Sequence, residues 1–128
     1  MSLKREGFTP RTIMTTAASP GDKVAASGWN RSGQENKFRA GAEVRQITGT
    51  GTTVFLGIET ANDPRNPDSG YVSAWAVGVT TNTIKDSDST LVTLGVAGKM
   101  YWRWVWVIYT TSGLGFASVN GWGETMDT

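Results

Sequence analysis

Residues 100–109, MYWRWVWVIY, constrain what this chain can fold into more than any other segment. Aromatic and β-branched side chains suit a pleated surface, and a run of this length fits one long strand better than a helix. In a strand, Trp102, Trp104, Trp106 and Ile108 point one way, while Tyr101, Arg103, Val105, Val107 and Tyr109 point the other. The tryptophan side reads as core. A surface strand in a small monomer shows one plainly polar face. Here the second face holds two valines and two tyrosines beside a single arginine. Val105, Val107 and Tyr109 are therefore expected to be covered by an N-terminal arm or by another copy of the chain.

The rest of the chain reads as further strands separated by turn chemistry. Thr52–Thr60 alternates well and places Val54, Leu56 and Ile58 on one face as core candidates. Other candidate strands are Thr12–Ala17, Val24–Trp29, Phe38–Thr48, Tyr71–Thr80, Leu91–Val96 and Phe116–Trp122. Ser19-Pro20-Gly21-Asp22 and Gly49-Thr50-Gly51 mark turns, and two prolines keep the loop Ala61–Gly70 out of a strand. Asn30–Asn36 and Asn82–Ser89 read as polar connections. Residues 1–10 are polar and aperiodic, so they are expected to be an exposed arm that orders on docking, with Lys4, Arg5 and Phe8 as contact residues. Residues 11–128 form one β-domain, without internal repeat or linker. The expected fold class is all-β: an antiparallel β-sandwich or jelly roll of about seven or eight strands, with an extended N-terminal arm.

Composition narrows the chemistry. A chain of 128 residues supports one domain with one real core. It has no cysteine and no histidine, which removes disulfides, thiolate nucleophiles, the usual zinc sites and histidine-centred triads. A net charge of +1 gives no electrostatic footprint for nucleic acid or membrane. No apolar run approaches the ~20 residues of a membrane span. The sequence MSLKREGFTP lacks the apolar core of a secretory signal, so synthesis and use without general export are expected.

The remaining constellations are weak as chemistry. Six tryptophans could form a sugar-stacking platform, but three on one face of one strand read as core and subunit packing. The loop from Asn62 to Gly70 and the run Asp86-Ser87-Asp88-Ser89 offer oxygen ligands without the order or closing glutamate of a calcium loop. Glu43 and Glu59 lie on adjacent candidate strands, yet they read as outward residues facing Arg45 or Arg103. GTGTT at 49–53 lacks the Lys-Ser/Thr of a phosphate loop and reads as a hairpin. No catalytic, metal or cofactor residue is assigned, and the chain is read as no enzyme.

From Val54 to Glu124 the order of segments is VFLGIETANDP, YVSAWAVG, LVTLGVAG, YWRWVW and FASVNGWGE. That order resembles the small jelly-roll cement, or decoration, proteins of tailed bacteriophage capsids, over a little more than half the chain. The resemblance implies a non-enzymatic virion protein, made in the host cytoplasm, that sits on the capsid exterior and strengthens the shell. The implied partners are the major capsid protein and further copies of the chain, with a trimer favoured over a dimer because it suits local three-fold positions. Alternative readings are a phage tail or fibre component and a carbohydrate-binding β-sandwich module.

Overall fold

Strand follows strand from Leu3 to Asp127 in the computed structural model, which describes residues 3–18, 21–31, 35–68, 72–73, 83–86, 92–93 and 99–127. The elements are β1 (Leu3–Thr15), β2 (Asp22–Ala26), β3 (Asn30–Arg31), β4 (Glu35–Thr50), β5 (Thr53–Ala61), β6 (Val72–Ser73), β7 (Thr83–Asp86), β8 (Val92–Thr93), β9 (Tyr101–Tyr109) and β10 (Ser112–Asp127). No helix occurs among the described residues. One sheet runs β1-β10-β4-β7, with β8 also on β4; the other runs β2-β9-β5-β6, with β3 also on β9.

Every pairing is antiparallel, and the pairings have a plan. Count β2 with β3, and β7 with β8, as interrupted single strands. The first strand then pairs with the last, the second with the last but one, and so inward until β5 meets β6. This is one long hairpin rolled up, so that β10 also pairs with β4 and β5 with β9. The chain is a jelly-roll β-sandwich.

The core lies between the two sheets. Trp102, Trp104, Trp106 and Ile108 of β9 and Val54, Leu56 and Ile58 of β5 all point inward and are at most 4% exposed. Ile13, Phe38, Ala40, Ala42, Val44, Ala117 and Val119 meet them from the facing sheet. Phe38 stands edge-on to Trp102 at 5.3 Å between ring centroids. The break expected at Gly49-Thr50-Gly51 is a turn but not a hairpin: it joins β4 to β5, which lie in different sheets, and both glycines have positive φ, 112° and 63°. A bulge in β4 puts Gln46 at φ 54° and shifts the register against β10. Ile47 thereby packs against the core instead of sharing a face with Glu43 and Arg45.

Four expectations need correction. Of the arm expected at residues 1–10, the described residues 3–10 are not set apart, because Leu3–Thr15 is one strand paired along β10. Its polar, aperiodic sequence reflects an edge position with Pro10 at a bulge, where the missing N–H costs nothing. Strands β3 and β7 fall inside segments read as polar connections. The closing strand is longer than Phe116–Trp122, running Ser112–Asp127. Most of Tyr71–Thr80 and Leu91–Val96, including Trp75, lies outside the described residues; Val72–Ser73 and Val92–Thr93 are strand.

Val105 and Val107 give the fourth correction. They are 1% and 0% exposed within the single chain, so they form no free stripe for a second copy. Part of the reason is an ion pair that spans three strands. Lys23 of β2 reaches Glu59 of β5, and since β9 lies between those strands, the lysine stem must cross its outer face.

Candidate functional site

Each sheet carries a buried carboxylate on its outer face. Glu59 stands directly opposite Arg103 in the β5–β9 register, and its side chain is 3% exposed. Arg103 donates to it through Nη2 at 2.6 Å and Nε at 2.7 Å, and the Lys23 ammonium donates from the other side. Lys23 also donates to the Asp68 carbonyl at 2.9 Å, tying the loop after β5 to the sheet. The Arg103 guanidinium lies 4.2 Å from the centre of the Trp29 ring.

Glu124 repeats the arrangement on the other sheet. In register it sits between Arg5 of β1 and Arg39 of β4. Arg39 donates through Nη2 at 2.6 Å and Nε at 2.8 Å, and Arg5 through Nη1 at 3.3 Å. The Arg5 guanidinium also lies 4.5 Å from the Trp122 ring centre. Both carboxylates are saturated by cations, which suits holding strands together and leaves neither free as an acid or base.

Between the edge strands β1 and β2 the sandwich opens into a slot of about 160 Å³. Gly7, Ala25, Ala26 and Ser27 are too small to close it, and the Trp104 and Trp106 indoles form its floor. Phe8 walls it, 6.0 Å from the Trp104 ring and 6.4 Å from that of Trp106. Glu6 and Arg11 also line it, and Glu6 Oε2 is buried with no hydrogen-bond partner. A second, more open hollow of about 420 Å³ lies between Pro10, Thr12, Glu43, Arg45, Ser118 and Asn120.

The residues singled out from sequence are scattered by this geometry. Phe8 turns inward onto the tryptophans and walls the slot, while Val105 and Val107 are buried and present no contact surface. Tyr109 is half-buried against Phe55, with ring centres 5.9 Å apart. Arg5 is exposed but committed to Glu124, and the backbone of Lys4 stands opposite Thr125. Trp102, Trp104 and Trp106 are buried and offer no sugar platform, while Trp122 is half-buried on an outer face. Glu43 and Glu59 lie in different sheets, Glu43 pairing with Arg45 at 3.0 Å on its own strand.

The acidic loop is held by its own contacts. Arg65 donates to Asp63 through its side chain and backbone and holds that carboxyl below its ordinary value. The Thr60 hydroxyl donates to Asp68 at 2.6 Å and Lys99 lies 3.0 Å away, so Asp68 is lowered too.

Sequence reasoning missed the slot and the Glu124 cluster. Gly121 and Gly123, two positions apart on β10, share the face that meets the Trp106 and Trp104 indoles.

No protein-family model matches the chain, and no curated protein matches it. Two solved structures of infectious bursal disease virus contain similar chains. The Gt strain gives a TM-score of 0.53 at 10% identity, over 98% of this chain. The Gx strain gives a TM-score of 0.51 at 9% identity, also over 98% of this chain. This chain spans about a third of the length of those chains, 33% in each case. At such identity the likeness is one of fold.

Proposed function

We propose that this protein is a non-enzymatic virion structural protein that binds the outer face of a capsid shell and reinforces it, as a cement or decoration protein does. The observation that carries the reading is the likeness of fold, over 98% of this chain, to chains from the infectious bursal disease virus structures. The resemblance of Val54–Glu124 to phage cement proteins supports it independently. The two saturated carboxylates fit the same role, since they tie three strands together on each sheet rather than serving a reaction. The partners on this reading are the major capsid protein and other copies of this chain, assembled as trimers at local three-fold positions. Attachment falls to the surfaces left open: the slot between β1 and β2, and the outer end of β1 and β10. There Met14 is 56% and Leu114 52% exposed, with Phe116 directly opposite Met14.

The test is the composition of particles purified by density gradient from cells producing the virus that encodes the chain. Peptide mass spectrometry should find the protein at near shell stoichiometry, and cryo-electron microscopy should place it outside the shell. Intact particles lacking the chain would overturn the proposal. A chain found at the tail would move the role to a tail component.

A further inference from the structure

The slot between β1 and β2 combines three features that nothing in the rolled sandwich itself requires. It is walled by aromatic rings, it is lined by Glu6, whose Oε2 is buried without a hydrogen-bond partner, and small side chains hold it open to solvent. Its volume of about 160 Å³ matches the ~150 Å³ engineered cavity that accepts one benzene molecule, so one planar group of that size fits. A carboxylate oxygen removed from water without a donor is unfavourable, and Glu6 Oε2 has none. The group that best relieves it brings positive charge and N–H donors, and tolerates indole and phenyl surfaces on its other faces.

We infer that this slot is a receptor for one arginine side chain presented by a partner protein. The guanidinium is planar, weakly hydrated, and carries a fork of donors that matches a carboxylate. Its faces are attracted to the rings of Phe8, Trp104 and Trp106 that bound the slot. An ammonium is more strongly hydrated and gains less from so thin a gap between two strand edges. Arg11 lines the same slot without donating to Glu6 Oε2, and its charge opposes an incoming cation. The inference deepens the proposed structural role, on which it rests for the nature of the partner, by naming what that partner must offer.

The experiment uses the full chain, labelled with nitrogen-15, titrated with N-acetyl-arginine amide and separately with its uncharged isostere N-acetyl-citrulline amide. The indole N–H signals of Trp104 and Trp106 should shift saturably with the arginine compound and stay in place with the citrulline one. Glu6→Gln should weaken binding about tenfold, the loss of one charge-assisted hydrogen bond. Arg11→Gln should tighten it about twofold by removing a like charge. Equal response to citrulline, equal binding by Glu6→Gln, or shifts confined to other indoles would overturn the inference. Should Glu6→Gln fail to fold, the citrulline comparison and the direction of the Arg11→Gln effect decide. Arginine binding by a chain absent from particles would keep the slot and remove the virion role. A particle-bound chain that ignores arginine would do the reverse.

Discussion

The two sheets build the core from opposite materials. The β9 sheet supplies bulk: Trp102, Trp104, Trp106, Leu56, Ile58 and Ile108. The β10 sheet answers largely with room, placing Ala40, Ala42, Ala117, Gly121 and Gly123 beneath those rings alongside Phe38. A Cβ on Gly123 would fall onto the Trp104 indole, 2.5 Å from Cζ2 and 2.9 Å from Nε1. One on Gly121 would meet Trp106 Cζ2 at 3.1 Å and the Gly41 carbonyl at 2.8 Å. Close packing thus arises from unlike surfaces, so bulk and absence of bulk are equally specific. The outer faces differ as well. The cations on Glu59 are each 25% exposed, whereas Arg5 on Glu124 is 61% exposed.

The sharpest way to break this complementarity is to remove the bulk. Trp104→Ala should destabilise the fold by about 3–5 kcal/mol, read as a lowered urea midpoint, through lost burial and the cavity left behind. Removing the room should cost nearly as much. Gly123→Ala should lose about 3 kcal/mol, the upper end for overpacking, because the added Cβ would fall 2.5 Å from Cζ2 of the buried Trp104 ring. A Trp104→Phe background should recover part of that loss in a double-mutant cycle. If Gly123→Ala is as stable as the parent, the indole does not occupy the glycine hollow.

The outer faces sharpen the comparison at smaller scale. Glu59→Gln leaves two largely covered cations, Lys23 of β2 and Arg103 of β9, without the carboxylate they share and should cost about 2 kcal/mol in chemical denaturation. Glu124→Gln should cost about 1 kcal/mol, since Arg5 can turn into water. Reversal of that order would mean that the Arg39 contact, not enclosure, sets the strength of these clusters.

What was legible in the sequence follows the same division. Bulk announces itself: the alternation of Trp102, Trp104 and Trp106, and of Val54, Leu56 and Ile58, marks the inward faces and the all-β class. Room does not, because Gly121 and Gly123 carry no hydrophobic signal until their partners are known. The first strand was readable only at its end, from Thr12, for a related reason. LKREGFTPRTIMT has no clear period, and its pairing is dictated by β10, more than a hundred positions later in the chain. The alternation of β9 shows that its outer valines need cover. It does not show that the cover includes the stem of Lys23, an interaction set by strand order rather than by spacing. The slot depends on the meeting of two edge strands, and no local pattern in either strand encodes it.

The smallest expected effect concerns the loop that leaves β5. Asp68 accepts from Thr60 and pairs with Lys99, which hold its carboxyl below the ordinary 3.8. A carboxyl whose folded value is depressed adds stability that is fully present above its unfolded value and disappears as pH falls through the folded one. Asp68→Asn should therefore lower the urea midpoint slightly at neutral pH. The gap between variant and parent should begin to narrow only near 3.8 and close below it. Asp63 is lowered by Arg65 two residues away, a contact so local that Asp63→Asn should move the midpoint less. If the gap for Asp68 stays constant into strong acid, its contribution comes from hydrogen-bond geometry with Thr60 rather than from charge, and the loop is fastened to its sheet by neutral contacts alone.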